Sequence, residues 1–303
     1  MPANSRSDLA TRWLSLLTLA VLVVGCARPA IDVRPVHLDT PDGPARGLVA
    51  IVDLARVDIV VSAGDEQTAE DDRFPLQNTF AFAHETGSDL AFNANFYGDL
   101  ADGRANPVGL VINDGEVRSP GRRYGKRADA AIFFHDGEAR VARPGPGRYE
   151  PPPTTQRSNR PTIQPVTELL GPEPNDAVAG VGASDSAPML DTVLVDDGVN
   201  LGKTSRVAPR VRHPRTAVGV SRDNRTLIVM VIDGRQDGHS VGVTLHELAD
   251  LMRRHGADDA LNLDGGGSSS FVYRNPDGSL LTNRPSDGDF REVAVSVGVR
   301  VKD

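Results

Sequence analysis

The segment Leu261–Ser270 reads Leu-Asn-Leu-Asp-Gly-Gly-Gly-Ser-Ser-Ser and carries the strongest chemical signal in the chain. Three glycines let a backbone take conformations barred to other residues, so the N–H groups of Gly265, Gly266, Gly267 and Ser268 could converge on an anion. Asp264 would place a carboxylate at the end of a short strand beside that turn. A Walker-type phosphate loop needs Gly-Lys-Ser/Thr, and none follows. His213-Pro214-Arg215-Thr216 adds a guanidinium, whose planar fork matches phosphate oxygens. A third piece is Ile232-Asp233-Gly234-Arg235-Gln236-Asp237-Gly238-His239-Ser240. Asp233 ends a strongly apolar segment there, a usual place for a site carboxylate; Asp237 and His239 follow on a loop and are weaker candidates. Other patterns fail on spacing. His246-Glu247-Leu248-Ala249-Asp250 begins like a zinc-protease helix but has Asp where the second His must stand, and Ser184 lies in no Gly-x-Ser-x-Gly elbow.

These residues need elements to hold them. Thr216–Ser221 and Thr226–Ile232 flank the turn-rich Arg222–Arg225 and read as a hairpin. Thr244-Leu245-His246-Glu247 is a capping box, followed by Leu245, Leu248, Ala249 and Met252 at helical spacing and stopped by Gly256. Leu261–Asp264 reads as a short strand. Val293, Val295, Val297, Val299 and Val301 alternate, predicting a half-buried final strand. Leu48–Ser62 predicts a strand or strand pair, and Gln77–Glu85 a short helix closed by Gly87. Nine prolines between Pro144 and Pro174 exclude a central strand there. Apolar strand-like segments resume afterwards in the same style, so residues 144–177 read as an insertion in one domain. The expectation is a single α+β domain over 48–303: a large, twisted, mainly antiparallel or mixed β-sheet with few packed helices.

Composition bounds the function. The chain has 303 residues, 24% charged and 39% hydrophobic, a globular balance. Its formal net charge of −8 argues against a nucleic-acid binder, which needs basic patches to meet phosphates. The single cysteine, Cys26, excludes an intramolecular disulfide, a Cys-rich zinc site and an iron–sulfur cluster. Arg6 and Arg12 precede the apolar stretch Trp13–Val24, which reads as a secretory signal over 1–25 and is too short for a bilayer span. Val23-Val24-Gly25-Cys26 resembles the lipobox of bacterial lipoproteins. That resemblance implies acylation of Cys26, attachment to the cell-envelope membrane and, with Ala27 following, the outer membrane. Residues 26–47, rich in Pro, Asp and Gly, read as a tether.

Taken in order, the chemical pieces resemble the phosphodiester glycosidase family. The likeness begins at Phe92-Asn93-Ala94-Asn95-Phe96-Tyr97, where Ala94 and Asn95 replace the family's glycine pair, and continues through Gly109-Leu110-Val111-Ile112. It takes in Arg215–Gly219, Asp233-Gly234-Arg235, Ser240–Leu245 and Asn262–Ser268, and closes with Asn283, Pro285-Ser286-Asp287 and Arg291. It implies hydrolysis of the C–O bond between sugar and phosphate in a sugar-1-phosphodiester, with a sugar phosphate or polysaccharide as partner and no cofactor required. On that implication Asp233 and Asp264 are catalytic and face the sugar and water. Arg215 and the Gly265–Ser268 amides hold the phosphate, Asn93 binds the sugar or orients a carboxylate, and Thr216, Asn283 and Asp287 complete the substrate site. Two alternatives stay open. One is a phosphodiesterase breaking P–O with a divalent metal on Asp233, Asp237 and Asp264; the other is a non-catalytic glycan-binding lipoprotein.

Overall fold

The computed structural model describes residues 28–65, 68, 73–119, 130–142, 174–180, 192–205 and 207–302, with the backbone of 123–124 and 127–128. Cys26 and the signal segment, Ser184, and the Pro-rich insertion through residue 173 lie outside the described residues.

Three sheets make the frame. The largest has seven strands in the order Ile31–Thr40, Gly43–Asp53, Thr226–Ile232, Arg215–Val220, Asp259–Asn262, Val193–Asp196 and Val199–Asn200. A five-stranded sheet runs Leu280–Thr282, Phe271–Arg274, Leu90–Asn93, Ser296–Val301 and Val57–Val61. A second five-stranded sheet contains Glu116–Ser119, Val111–Asn113, Asp176–Ala179, Ala131–His135 and Glu138–Ala142. Each strand pairing in these sheets is antiparallel, and two α-helices accompany them among the described residues. The fold is therefore α+β and mainly antiparallel.

Strand periodicity sends alternate residues to opposite faces, and here both faces are covered. On the seven-stranded sheet Val218, Leu227, Val229 and Val231 join Leu90, Phe92, Val297 and Val299 of the five-stranded sheet in one core. Ala217, Ile228, Met230 and Ile232 point the other way, onto helix α2 (Leu245–Arg254) through Leu245, Leu248, Ala249 and Met252. Burying each large apolar side chain there contributes about 1.5–3 kcal/mol. Helix α2 starts where the sequence says it should: the Thr244 hydroxyl accepts from the Glu247 N–H at 3.3 Å, and the Glu247 carboxylate accepts from the Thr244 N–H at 2.9 Å. Helix α1 (Thr79–Thr86) ends at Gly87 with φ 65° and lays Phe82 and Ala83 on the outer face of the five-stranded sheet.

Two expectations change. Residues 31–47 are not a tether: Ile31–Thr40 pairs over its full length with Gly43–Asp53. Pro35 is tolerated because, among the described residues, this is the edge strand of its sheet. The final strand, Ser296–Val301, is buried on both faces over Ser296–Val299, between Leu90–Asn93 and Val57–Val61. Its small residues explain why. A side chain at Gly298 would stand 2.1 Å from the Ser88 hydroxyl, just past α1, so small residues admit the helix onto that face.

Candidate active site

Four loops leave the ends of paired strands and lock together. Antiparallel registry sets Arg215 opposite Ile232 and Ala217 opposite Asn262, so residues 213–215, 233–235 and 263–268 start from one end of the same sheet. Backbone bonds then join them. The Gly266 N–H donates to the Pro214 carbonyl at 2.9 Å, Leu263 N–H to Thr216 O at 2.9 Å, and Asp264 N–H to Ala94 O at 2.9 Å. The Asn93 loop thus meets the glycine turn from the opposing sheet.

Asn93 is fully buried and has every polar atom engaged within the protein. Its Nδ2 donates to the Asp264 carbonyl at 2.8 Å, while Oδ1 accepts from the Thr216 hydroxyl at 2.8 Å and the Ser270 N–H at 3.0 Å. Thr216, also fully buried, is spent on this link. Both residues fix the backbone that carries Asp264.

The Asp264 carboxyl accepts from the Gly265 N–H at 2.9 Å. Burial pushes its pKa up to about 6, against the lowering pull of the Ser268 hydroxyl, the Gly265 N–H and the Arg291 charge. The following residues wind into a short 3-10 turn, Gly266–Ser268. Gly266 needs its positive φ of 60°. The turn consumes most amides expected to bind an anion: Gly265 N–H goes to Asp264, Gly266 N–H to Pro214, and Ser268 N–H to Gly265 O at 3.2 Å.

Cations surround that turn instead. A side-chain carbon placed on Gly266 would lie 3.1 Å from Arg235 Nη2, and one on Gly267 would fall 2.1 Å from Arg291 Nη2 and 2.2 Å from Asp287 Oδ2. Asp287 and Arg291 form an ion pair, with Arg291 Nε 3.1 Å from Asp287 Oδ2. Arg235 is exposed, carries a φ of 60° rare for a side-chain-bearing residue, and donates to His213 Nδ1 at 3.3 Å. Burial, then the charges of Arg215 and Arg235, lowers the His213 pKa.

Arg215 has another occupation. Only 2% exposed, its guanidinium donates to four carbonyls: Val243 at 3.3 Å, Val207 at 3.0 Å, Ala208 at 2.8 Å and Val211 at 2.9 Å. Val207 and Ala208 hold φ of 73° and 50°, a strained pair that Arg215 clamps. Burial, then the Arg235 charge, lowers its pKa to about 10, leaving it charged at neutral pH.

Asp233 is buried and also saturated. Its Oδ2 accepts from His239 Nε2 at 2.9 Å; Oδ1 accepts from Asn283 Nδ2 at 3.2 Å and the Arg284 N–H at 3.0 Å. Asn283 Nδ2 also donates to Ser269 O at 3.1 Å, and its Oδ1 accepts from the Phe271 N–H at 2.7 Å, tying Asp233 to the segment after the glycine turn. Asp237 is exposed. Among the described residues no three His, Cys, Asp or Glu side chains gather as a metal-ligand group. The sequence offers His239 only as a weaker candidate, and it gives Arg235 and Arg291 as motif residues without a role in the site. Asn95 Oδ1, Asn262 Oδ1 and Ser269 Oγ, on the same segments, are buried without a hydrogen-bond partner, a costly state that clusters at working sites.

Comparison with known proteins places this geometry. The phosphodiester glycosidase family matches residues 86–300. The SPbeta prophage-derived uncharacterized protein YomE of Bacillus subtilis is 27% identical over 228 residues, covering 75% of this chain and 30% of that protein. Mouse N-acetylglucosamine-1-phosphodiester alpha-N-acetylglucosaminidase is 39% identical over 77 residues, 25% of this chain and 14% of the enzyme. The chain therefore spans under a third of the length of either relative. Among solved structures, the zebrafish N-acetylglucosamine-1-phosphodiester alpha-N-acetylglucosaminidase catalytic domain, auto-inhibited by its pro-peptide, superposes with a TM-score of 0.59 at 18% identity, covering 91% of this chain and 85% of that one. A hypothetical protein from Synechocystis gives 0.58 at 17%, covering 90% and 62%. At those identities the structural likeness speaks for the fold. The family match, which takes in the Asn93, Arg215, Asp233 and Asp264 segments alike, settles the rest: the chain belongs to the phosphodiester glycosidase family.

Proposed function

We propose that the protein hydrolyses the glycosidic C–O bond of a sugar-1-phosphodiester, with Asp264 as the acid–base carboxyl and Arg235 and Arg291 as the phosphate-holding cations. The observation that carries this reading is one carboxyl with a pKa of about 6 beside a glycine turn flanked by two guanidinium groups. Breaking C–O develops oxocarbenium character on the sugar, which a carboxylate stabilises. The departing phosphate monoester is a good leaving group and needs charge neutralisation more than protonation. Asp264 therefore acts chiefly as the base toward water. Asn93 and Thr216 position it through its backbone, and Arg215 shapes the wall formed by Val207–Val211. Asp233, with Asn283 and His239, orients the segment that follows the turn. The test is a screen of sugar-1-phosphodiesters that differ in the sugar, read as equal release of reducing sugar and phosphomonoester. Asp264→Asn should abolish both, and a fully active variant would remove Asp264 from the chemistry.

The lipobox resemblance adds an address to this reading: acylated Cys26 holds the enzyme on the envelope membrane, facing extracytoplasmic glycans. Cys26→Ser should move the protein from the membrane fraction to the soluble periplasmic one, and unchanged fractionation would remove the anchor.

A further inference from the structure

A cavity of about 320 Å³ adjoins the proposed site on the Asp233 side. Residues Arg46, Arg284, His37 and His239 are its polar lining, and Pro35 and Leu48, paired across two strands, an apolar one. Several arginines elsewhere are matched to acids: Arg34 to Asp32, Arg212 to Asp42 and Glu247, Arg222 to Asp258, Arg291 to Asp287. Arg46 and Arg284 are exposed, and neither side chain meets a described carboxylate. Among the described residues the only carboxylate lining the cavity is Asp233, whose oxygens are already taken by His239, Asn283 and the Arg284 N–H. Two arginines thus line a concave space whose one acid is already engaged.

The cavity is also wired to the Arg235 side of the site. Gln236 Nε2 donates to the Arg284 carbonyl at 2.9 Å, which ties the chain just after Arg235 to the chain just after Asn283. Arg46 sits on the neighbouring strand, where the Asp233 N–H donates to its carbonyl at 2.8 Å.

We propose that this cavity is a second anion subsite, which takes a further phosphate of the substrate on Arg46 and Arg284 while Pro35, on the face of the sheet that carries Leu48, receives the apolar face of the adjoining sugar. Fork-shaped guanidinium groups suit tetrahedral phosphate oxygens, and the Asp233 carboxylate fixes the orientation of His239, whose other ring nitrogen remains available to the ligand. The inference rests on the reading of a sugar-1-phosphodiester substrate and narrows it: the preferred substrate carries phosphates on successive sugars and is a poly(sugar phosphate) rather than an isolated diester.

Two measurements on the full-length protein test this separately. The first compares KM for a synthetic sugar-1-phosphodiester with a phosphate-free aglycone and for one whose aglycone sugar bears a second phosphate. The wild type should show a KM about tenfold lower for the doubly phosphorylated substrate, and Arg46→Ala/Arg284→Ala should erase the difference. Equal KM values in the wild type, or a preference that survives in the double variant, would overturn the subsite. The second titrates inorganic phosphate by calorimetry and does not depend on turnover. Binding should weaken at least about tenfold in the double variant and persist in Arg225→Ala, whose guanidinium pairs with Glu138. Phosphate binding that is lost in the double variant while neither substrate is hydrolysed would sink the catalytic reading and keep the subsite. Hydrolysis with phosphate binding indifferent to Arg46 and Arg284 would do the reverse.

Discussion

At the scale of single residues, the proposed chemistry falls on Asp264 and its positioning on the groups that hold it. If Asp264 is the base, it must be ionised, so kcat/KM should fall about tenfold per pH unit below its pKa of about 6. A profile that instead falls above that pH would make Asp264 the acid. Asp264→Asn should lower kcat by about 10²-fold or more, in line with loss of an acid–base group. Its stability should move the other way. The folded pKa is raised above the ordinary aspartate value of 3.8, so the folded state binds more protons between about pH 4 and 6. That destabilisation is fully present above about pH 6 and vanishes below about pH 4. The rise corresponds to roughly 3 kcal/mol at most. Asp264→Asn should therefore melt at the same temperature or higher at pH 7, and a lower melting temperature would contradict the burial argument. Asp264 was legible because an aspartate followed by three glycines is a local signal. The duty of Arg215 was not, because its partners are carbonyls of Val207, Ala208, Val211 and Val243, and no side-chain pattern reveals where carbonyls point. The Asp233–His239 bond has no such local signal, because the loop between them folds back through a Gln236–Ser240 bridge.

At the scale of elements, the site depends on loops held by side chains rather than by sheet ladders. Arg215→Lys keeps the charge but cannot reproduce a fork shared among four carbonyls. It should cost about 2–4 kcal/mol, measured by urea unfolding at unchanged slope, with Val207–Val211 losing amide protection first. A variant of native stability would mean that the loop holds itself. Gly267→Ala tests the other wall. Its added carbon would fall within 2.2 Å of both Arg291 Nη2 and Asp287 Oδ2, and must displace the pair. KM should rise while global stability changes little, and an unchanged KM would free Arg291 from substrate. Local chemistry made several elements readable, including the capping box of α2, the Gly87 stop of α1 and the Arg215–Ile232 hairpin. The first strand was obscured because its buried residues, Ile31 and Val36, fall out of phase, and Pro35 stands between them. Only its position at a sheet edge makes that sequence a strand.

At the scale of the whole molecule, two antiparallel sheets share a core and bring loops distant in sequence to one end. The pairing of Asn93 with residues 216, 264 and 270 joins the two sheets at that point. This accounts for a motif spread over some two hundred residues acting as one unit, and for a fold kept at 18% identity to the zebrafish catalytic domain. An acidic protein that gathers Arg235 and Arg291 near its glycine turn, and Arg46 and Arg284 beside Asp233, concentrates its scarce positive field where an anionic substrate would arrive. The decisive question is which bond breaks. Hydrolysis of a sugar-1-phosphodiester in oxygen-18 water should place the label in the anomeric hydroxyl of the released sugar and leave the phosphate unlabelled. Label in the phosphate would mean P–O cleavage and contradict the glycosidase account.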